Sequence, residues 1–304
     1  MAKRLKQFSA WGSIAILLAL VPIMTARNDV LSFLVTVFLF IALSQSWNVI
    51  GGYAGQMNLG HAAFFGAGVL TTRYLWLVLG IPFPLAILGA AVAAMIMAMV
   101  IGIPAFRLEG IYFVIGTLVF AEIIRIVVYT NFPRASVMPM QLLSYYNMVH
   151  RYYLSLITAI VAVVVVYVIS KAKVGLAMTA IREDEDAAGT LGVNILGHKL
   201  FAFAISTFIA GLAGGVLAYY SVAVTPGHMF EHLWTFDAVI IAFVGGVGTI
   251  LGPIIGAVFF TFLKQFLSMY LPHGFHVAVF GVLFIGVVLL LPGGLIELMR
   301  KVRR

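Results

Sequence analysis

Apolar residues in this chain come in long uninterrupted blocks. They show neither the one-sided stripe of a soluble amphipathic helix nor the alternation of a half-buried strand. Blocks near residues 9–26, 30–50, 58–79, 83–105, 111–129, 152–170, 200–224 and 277–296 approach the ~20 residues that a helix needs to cross a bilayer. Each predicts a membrane span. A further apolar stretch, Ala238 to Leu263, carries Gly245, Gly246, Gly248, Gly252 and Pro253 in its middle. Helix propensity is poor there, so the stretch predicts two short helices joined by irregular backbone, which a membrane accepts only where protein or a water-filled cavity surrounds it. An earlier glycine-rich stretch, Gly51, Gly52, Gly55, Gly60, Gly66 and Gly68, echoes the later one, which continues to Gly256. Transporters built from internal repeats place broken helices at the binding site. Close helix packing is the ordinary use of small residues in membranes and accounts for most of these glycines. The expected fold is all-α: a polytopic membrane helix bundle forming a single domain, residues 1–304, with eight full spans plus the glycine-broken pair, or ten spans if the pair crosses fully.

Charge orients this bundle. The chain is 63% hydrophobic and 9% charged, and its formal net charge is +8; a soluble domain carries roughly 25% charged residues. The basic residues sit at the ends of apolar blocks instead of forming one patch, which argues against nucleic acid and for topology signals. Seven spans from a cytoplasmic N-terminus bring the chain outside near Pro226. The tail Arg300, Lys301, Arg303 and Arg304 should end inside, so the broken stretch must return to the side it left, or cross twice, before the last span. On this topology Lys3, Arg4, Lys6, Arg107, Lys171, Lys173, Arg182, Lys199 and the tail face the cytoplasm, 12 of the 18 Lys and Arg, and both termini are cytoplasmic. The basic start followed by an apolar run to Ala26 reads as an uncleaved first helix, because Met24 and Ala26 make a poor cleavage site. There is no cysteine, which excludes disulfides, thiolate metal sites and cysteine nucleophiles.

The one long polar segment inside the cell is 171–199, where four of the ten acidic residues crowd together as Glu183, Asp184, Glu185 and Asp186. At the helical angle Ala180, Ile181, Ala187, Ala188 and Leu191 share a stripe, with Asp184 intruding, which predicts a short amphipathic helix stopped near Gly192. Interfacial helices usually carry basic polar faces and bulky apolar ones, whereas this face is acidic and small. The pattern by itself leaves docking on a partner protein and a merely solvated helix equally open.

The run from Ala180 to Glu185 (Ala-Ile-Arg-Glu-Asp-Glu), then Ala187, Ala188, Leu191, Gly192, Val193 and Asn194, resembles the cytoplasmic coupling motif of bacterial ATP-binding-cassette importer permeases. Lys199 to Ser206 and Ala210 to Gly215 resemble the span that follows this motif in the branched-chain amino-acid permease family. Trp47, Asn48, Gly52 to Gln56 and Leu59 to Phe65, with Gly66 and Gly68, are similar to that family's LivM-type subunit. Further resemblances lie at Phe120 to Arg125, Gly245 to Pro253 and Pro292 to Leu295, so the likeness runs from about Ser44 to the C-terminus. The outward loop Thr130 to Arg151 departs from the family, reading Asn131-Phe-Pro-Arg-Ala-Ser-Val-Met-Pro-Met140 where a Thr-Gly-Gly-type segment is common.

The resemblance implies a permease subunit that moves branched-chain or related small amino acids across a bacterial inner membrane by alternating access; relatives carrying urea, short amides or other small polar solutes are the alternative. It implies pairing with an identical or homologous permease, two cytoplasmic ATPase subunits and an external substrate-binding protein. The chain has no phosphate-binding Gly-x-x-x-x-Gly-Lys-Ser/Thr loop, so it is not expected to be an enzyme, and ATP and Mg would bind only on partners. Coupling to the ATPase falls on Ala180, Ile181, Arg182, Glu183, Asp184, Glu185, Ala187, Ala188, Leu191 and Gly192. Tyr53, Gln56, Asn58 and His61 are substrate-path candidates because polar groups and freed backbone meet there; capping of broken helix ends and interhelical hydrogen bonding compete with that role. Gly52, Gly55, Gly60, Gly245, Gly246, Gly248 and Gly252 are the candidate helix-breaking glycines. Glu122 and Arg125 read as a structural ion pair on one helix face, Asp237 as a helix cap or a path residue, and Arg73, Tyr74 and Trp76 as an interfacial anchor. An ion-coupled secondary transporter would need a midplane acid that the pattern does not isolate. No filter-like sequence suggests a channel, and His61, His228, His232, His273 and His276 are too scattered for a metal site.

Overall fold

The computed structural model describes residues 2–25, 27–132, 136–140 and 147–270, with 278–279, 281–282, 285–286 and 293–297; side chains of 2–11 and 14 are outside the description. The helices are α1 (Ala2–Met24), α2 (Asn28–Trp47, continued as a π-helical turn Asn48–Tyr53), α3 (His61–Arg73, with a second π turn Tyr74–Val78), α4 (Phe83–Ala105) and α5 (Ile111–Asn131). They continue with α6 (Met148–Lys171), α7 (Lys173–Glu183), α8 (Glu185–Thr190), α9 (Ile195–Tyr220), α10 (Pro226–Met229), α11 (Leu233–Gly245) and α12 (Leu251–Tyr270). Two short antiparallel strands, β1 (Ser136–Val137) and β2 (Ala223–Val224), pair Ser136 with Val224 and Val137 with Ala223.

The chain is thus a multi-pass membrane helix bundle. Six of the described helices are long and apolar enough to cross a bilayer: α2 with its π turn, α4, α5, α6, α9 and α12. The expected eight full spans are not all matched at that length. In α1 the apolar part is Ala15–Met24. The block expected at 58–79 starts only at His61, because residues 54–60 are non-helical. The expected span 277–296 falls largely, and the basic tail wholly, outside the described residues, as do His273 and His276.

Two helices form the centre. Both α2 and α9 are buried over most of their length, whereas α5 turns Ile115, Val119, Ile123 and Ile126 outward as a lipid-facing stripe. Without a hydrophobic drive between helices in lipid, close backbone approach does the packing. Accordingly α9 lies between α3 and α4 on its glycines: a methyl on Gly68 would strike the Gly211 carbonyl, and one on Gly211 would fall 2.8 Å from Ala91 Cα. Aromatic edges fill the core between helices, with Phe64 against Phe203 at 5.1 Å and Phe38 against Tyr152 at 5.4 Å. Tyr152 and Tyr153 hydroxyls donate to the Leu18 and Ala19 carbonyls at 2.6 and 3.0 Å and hold α1 on α6.

The glycine-broken stretch is a helical hairpin. Close approaches pair Gly245 with Gly252, Ile241 with Gly256 and Asp237 with Lys264, so α11 and α12 run antiparallel around a turn at 246–250. Only the first limb is short. The second runs to Tyr270, because no glycine or proline follows Gly256 before Leu271 and because Lys264, the charge that ends the apolar block in the sequence, is neutralised by Asp237 at 2.7 Å. Lys264 also stands 5.3 Å from the Phe40 ring and 5.4 Å from the Phe260 ring.

Candidate functional site

The two glycine-rich stretches, about two hundred residues apart in sequence, meet. After Trp47 the helix widens to π geometry, and Gly51 lets the Trp47 indole lie against its backbone, a close approach that a β-carbon would occupy. Single π turns inside α-helices concentrate at functional sites. At the next turn Gly52 abuts both the Asn48 side chain and the Gly248 nitrogen, leaving no room for a methyl. Asn48 then satisfies the opposite break: its Nδ2 donates to the Thr249 carbonyl at 2.9 Å and its Oδ1 accepts from the Gly248 N–H at 2.8 Å. Gln45 Nε2 donates to the Ile250 carbonyl at 2.7 Å. Gly248, at φ +72°, holds a conformation that a β-carbon would strain.

From the polar segment 171–199, Arg182 enters the same junction. Its Nη1 donates to the Gly52 carbonyl at 2.8 Å, and a β-carbon on Gly55 would lie 2.6 Å from Arg182 Cγ. The rest of the guanidinium is tied to Glu183, with Nε and Nη2 at 3.1 and 2.5 Å from Oε1. Thus Arg182, Gly52, Gly55, Asn48 and Gly248 form one knot joining α7, α2 and the α11–α12 turn.

The segment that carries Arg182 is not one continuous helix. Asp184 is extended, ends α7 and caps α8 by accepting from the Ala187 N–H at 2.9 Å, which explains why an acid interrupts the small-residue stripe. The stripe is therefore divided between two helices. Ile181 and Ala188 (2% exposed) are buried within the chain, Ala180 is half-buried, and Ala187, Gly192 and Leu191 (83% exposed) face outward beside Glu183, Asp184 and Asp186. Gly192 ends the segment at φ +84°. Glu185 turns inward, where both carboxylate oxygens accept from Lys199 Nζ at 2.6 Å on the rim of a depression of about 280 Å³ that includes Phe106 and Arg107.

The four path candidates sit on the first break and differ in exposure. Asn58 and His61 are fully buried and bonded: His61 Nε2 meets Ser46 Oγ at 2.7 Å, Asn58 Oδ1 accepts from the Gly60 N–H at 2.8 Å, and the Asn58 carbonyl accepts from Trp47 Nε1 at 2.9 Å. Thr117 Oγ1 accepts from Leu59 N–H and Thr235 Oγ1 from Ala62 N–H, so three helices stitch this break. Gly60 packs on the Thr117 carbonyl where a methyl cannot fit. Tyr53 is buried, and Gln56 is half-exposed, with its amide 3.4 Å from the Ala54 carbonyl.

Arg73 and Asp237 take roles set by partners distant in sequence. Arg73 is buried and donates to the Ala218 carbonyl at 3.1 Å and to the Ser221 and Val222 carbonyls, so it closes the C-terminus of α9 and is not an interfacial anchor. Tyr74 is exposed, and Trp76 packs on Phe83 and Tyr219. Asp237, in the second turn of α11, is a partner of Lys264. The Glu122–Arg125 pair is present, with bonds of 2.8 and 2.6 Å, and recruits His232 Nε2 at 2.5 Å from Glu122 Oε2, which ties α5 to the segment before α11. Sequence spacing cannot reveal this third member, because it comes from 110 residues away. No group of three or more metal-ligating side chains exists among the described residues.

Similarity to known proteins follows the same arrangement. The chain is 26% identical over 315 aligned residues, 92% of this chain and 72% of the relative, to the high-affinity branched-chain amino acid transport system permease protein LivM of Escherichia coli, and equally to that of Salmonella typhimurium. Over 118 residues, 37% of this chain and 36% of the relative, it is 31% identical to the ribose import permease protein RbsC of Haemophilus influenzae. No solved structure matches. The family model described as branched-chain amino acid transport system / permease component matches residues 30–288, which cover both helix breaks and the segment between them. The chain therefore belongs to the branched-chain amino acid transport system permease family, as a membrane permease subunit of an ATP-binding-cassette importer.

Proposed function

We propose that this permease carries branched-chain or related small amino acids inward across a bacterial inner membrane, paired with an identical or homologous permease and driven by two ATPase subunits that hold the ATP and Mg. An external binding protein delivers the solute. The observation that carries this reading is the knot at Arg182, which places an exposed acidic segment in direct contact with both helix breaks. A lever of this kind is what an external engine needs. Glu183, Asp184 and Asp186, with Ala187, Leu191 and Gly192, form the face offered to the ATPase, while Ala180, Ile181, Glu185 and Ala188 fix that face to the bundle.

Ten crossings with both termini in the cytoplasm fit this arrangement. The 246–250 turn lies against a residue of the cytoplasmic segment, so α11 enters from outside and α12 leads back out, and one more span returns the chain to the cytoplasm. For the path, Gln56 is the side chain with an amide available to solute, Tyr53 shapes the wall, and Asn58 and His61 hold the broken ends around it. The ribose permease relative matches too little of the chain to speak for the solute.

The test is reconstitution of the native chain with its ATPase and binding protein in vesicles. Uptake of leucine, isoleucine or valine should require ATP and persist when ion gradients are dissipated. Uptake supported by a proton or sodium gradient without ATP would make the chain a secondary transporter. Gln56→Leu should raise the KM for uptake roughly tenfold, the range of one lost polar contact to a buried solute; an unchanged KM removes Gln56 from the path.

A further inference from the structure

We infer that Arg182 is a positioning residue for transport: its guanidinium is the tie through which displacement of the cytoplasmic segment opens and closes the junction between Gly52 and Gly248. This rests on the proposed function, but it assigns Arg182 inward, to the gate, where its place in the coupling motif alone would assign it outward, to the ATPase.

Four observations converge. First, the extended Asp184 ends α7 immediately after Arg182 and Glu183, and Met178 and Ile181 bury the inner face of that helix, so α7 is seated against the bundle while Glu183 stays on its outer face. Second, Nη1 reaches the Gly52 carbonyl within the π turn, the least regular piece of α2. Third, the groups flanking the guanidinium are glycines from two different breaks: Gly55, at φ +71°, lies under its stem, and a β-carbon on Gly248 would fall 2.6 Å from Nη1. Fourth, Asn48 bonds the far side of the knot to α2 at Gly248 and Thr249, and residues 247–250 are half-exposed. A buried, fully packed turn would have nowhere to go; this one has.

The guanidinium suits the task because it is a planar fork. One nitrogen takes the buried carbonyl while the other two hold Glu183, whose side chain is 68% exposed on the acidic face. A push on that face is thereby transmitted to the π turn through one rigid group. Lysine has the charge but a single donor head, so it can hold the carboxylate or the carbonyl but not both in this geometry. Exposed ion pairs contribute little stability, so the contact matters for transmission more than for folding.

The experiment compares native, Arg182→Lys and Arg182→Ala chains, each assembled with its ATPase in vesicles. Both variants should co-purify with the ATPase in native yield and lose roughly tenfold in uptake, within the usual range of coupling between sites, while hydrolysis without external substrate stays at or above the native level. Uptake at the native level, or uptake and hydrolysis falling in the same proportion, overturns the assignment. A second measurement leaves Arg182 intact, in case its removal unfolds the junction. Since the chain has no cysteine, Val247→Cys supplies a single thiol beside Gly248. Its reaction with a membrane-impermeant maleimide from the cytosolic side should differ roughly tenfold between nucleotide-free and vanadate-trapped complexes, and equal rates overturn the gate. A native chain that binds no ATPase sinks the proposed function; ATP-driven uptake indifferent to both Arg182 substitutions sinks only the role given to Arg182.

Discussion

The helix break at 54–60 and the break at 246–250 look alike in sequence and are built in opposite ways. The first is closed by side chains from within and from three neighbouring helices: Asn58, His61, Ser46, Trp47, Thr117 and Thr235 each bond a group at or beside it, with Asn58 and Gly60 buried while Gly55 and Met57 reach the surface. The second has glycines at its turning points and few polar side chains of its own, Thr249 bonding the Gly246 carbonyl at 2.8 Å and the Gly252 N–H at 3.0 Å. It depends on Gln45 and Asn48 of α2, and it remains half-exposed. In a membrane, freed backbone must be satisfied by protein or by water in a cavity. One break is met by its own residues and by side chains from three helices, the other largely by two side chains borrowed from α2. The lesson is that a glycine-broken helix is not by itself a moving part; mobility depends on whether the groups that satisfy it travel with it.

Substitutions can break this contrast or sharpen it. The largest effect is expected from Gly52→Ala, because the new methyl meets both the Asn48 side chain and the Gly248 backbone and so pries the two breaks apart. Overpacking of this kind costs about 3 kcal/mol or more when a backbone must shift, so the variant should lose the monodisperse, folded permease in detergent; a native melting temperature would show that the breaks are not in contact. Asn48→Leu should come next, leaving the Gly248 N–H and the Thr249 carbonyl without their partner at about 1–3 kcal/mol each. The lowered melting temperature should come with loss of uptake, and a stability loss with full uptake would deny the second break its role. The smallest effect belongs to the first break. Thr235→Val frees one N–H among several bonded groups, and interhelical hydrogen bonds in membranes average about 0.6 kcal/mol, so melting should fall by a degree or two at most with KM and maximal uptake unchanged. A large uptake defect there would erase the distinction between a stitched break and a working one.

Much of the polypeptide's character could be read from residue order. The apolar blocks set the membrane class, the glycines located both breaks, and the acidic motif located the exposed polar segment and pointed to the family. What misled was charge taken in isolation. Lys264 looks like the end of a span until Asp237 neutralises it, and Arg73 looks like an anchor at the interface until the C-terminal carbonyls of α9 surround it. In both cases a distant partner changes what a charge costs, and distance along the chain carries no record of that partner.

The same reason separates what the sequence by itself determined from what only the tertiary structure decided. Solvent preference and helix propensity are local properties, so the number of apolar blocks, the places where helices cannot continue and the single protruding polar segment were all settled by composition and spacing. Which polar group satisfies which freed backbone atom is settled only when helices far apart in sequence pack together. Asn48 serving the turn at 246–250, His232 joining Glu122, and Arg182 facing inward to Gly52 are decisions of that kind. In lipid an unmet hydrogen bond finds no water to replace its partner, so these long-range pairings decide how the breaks are held.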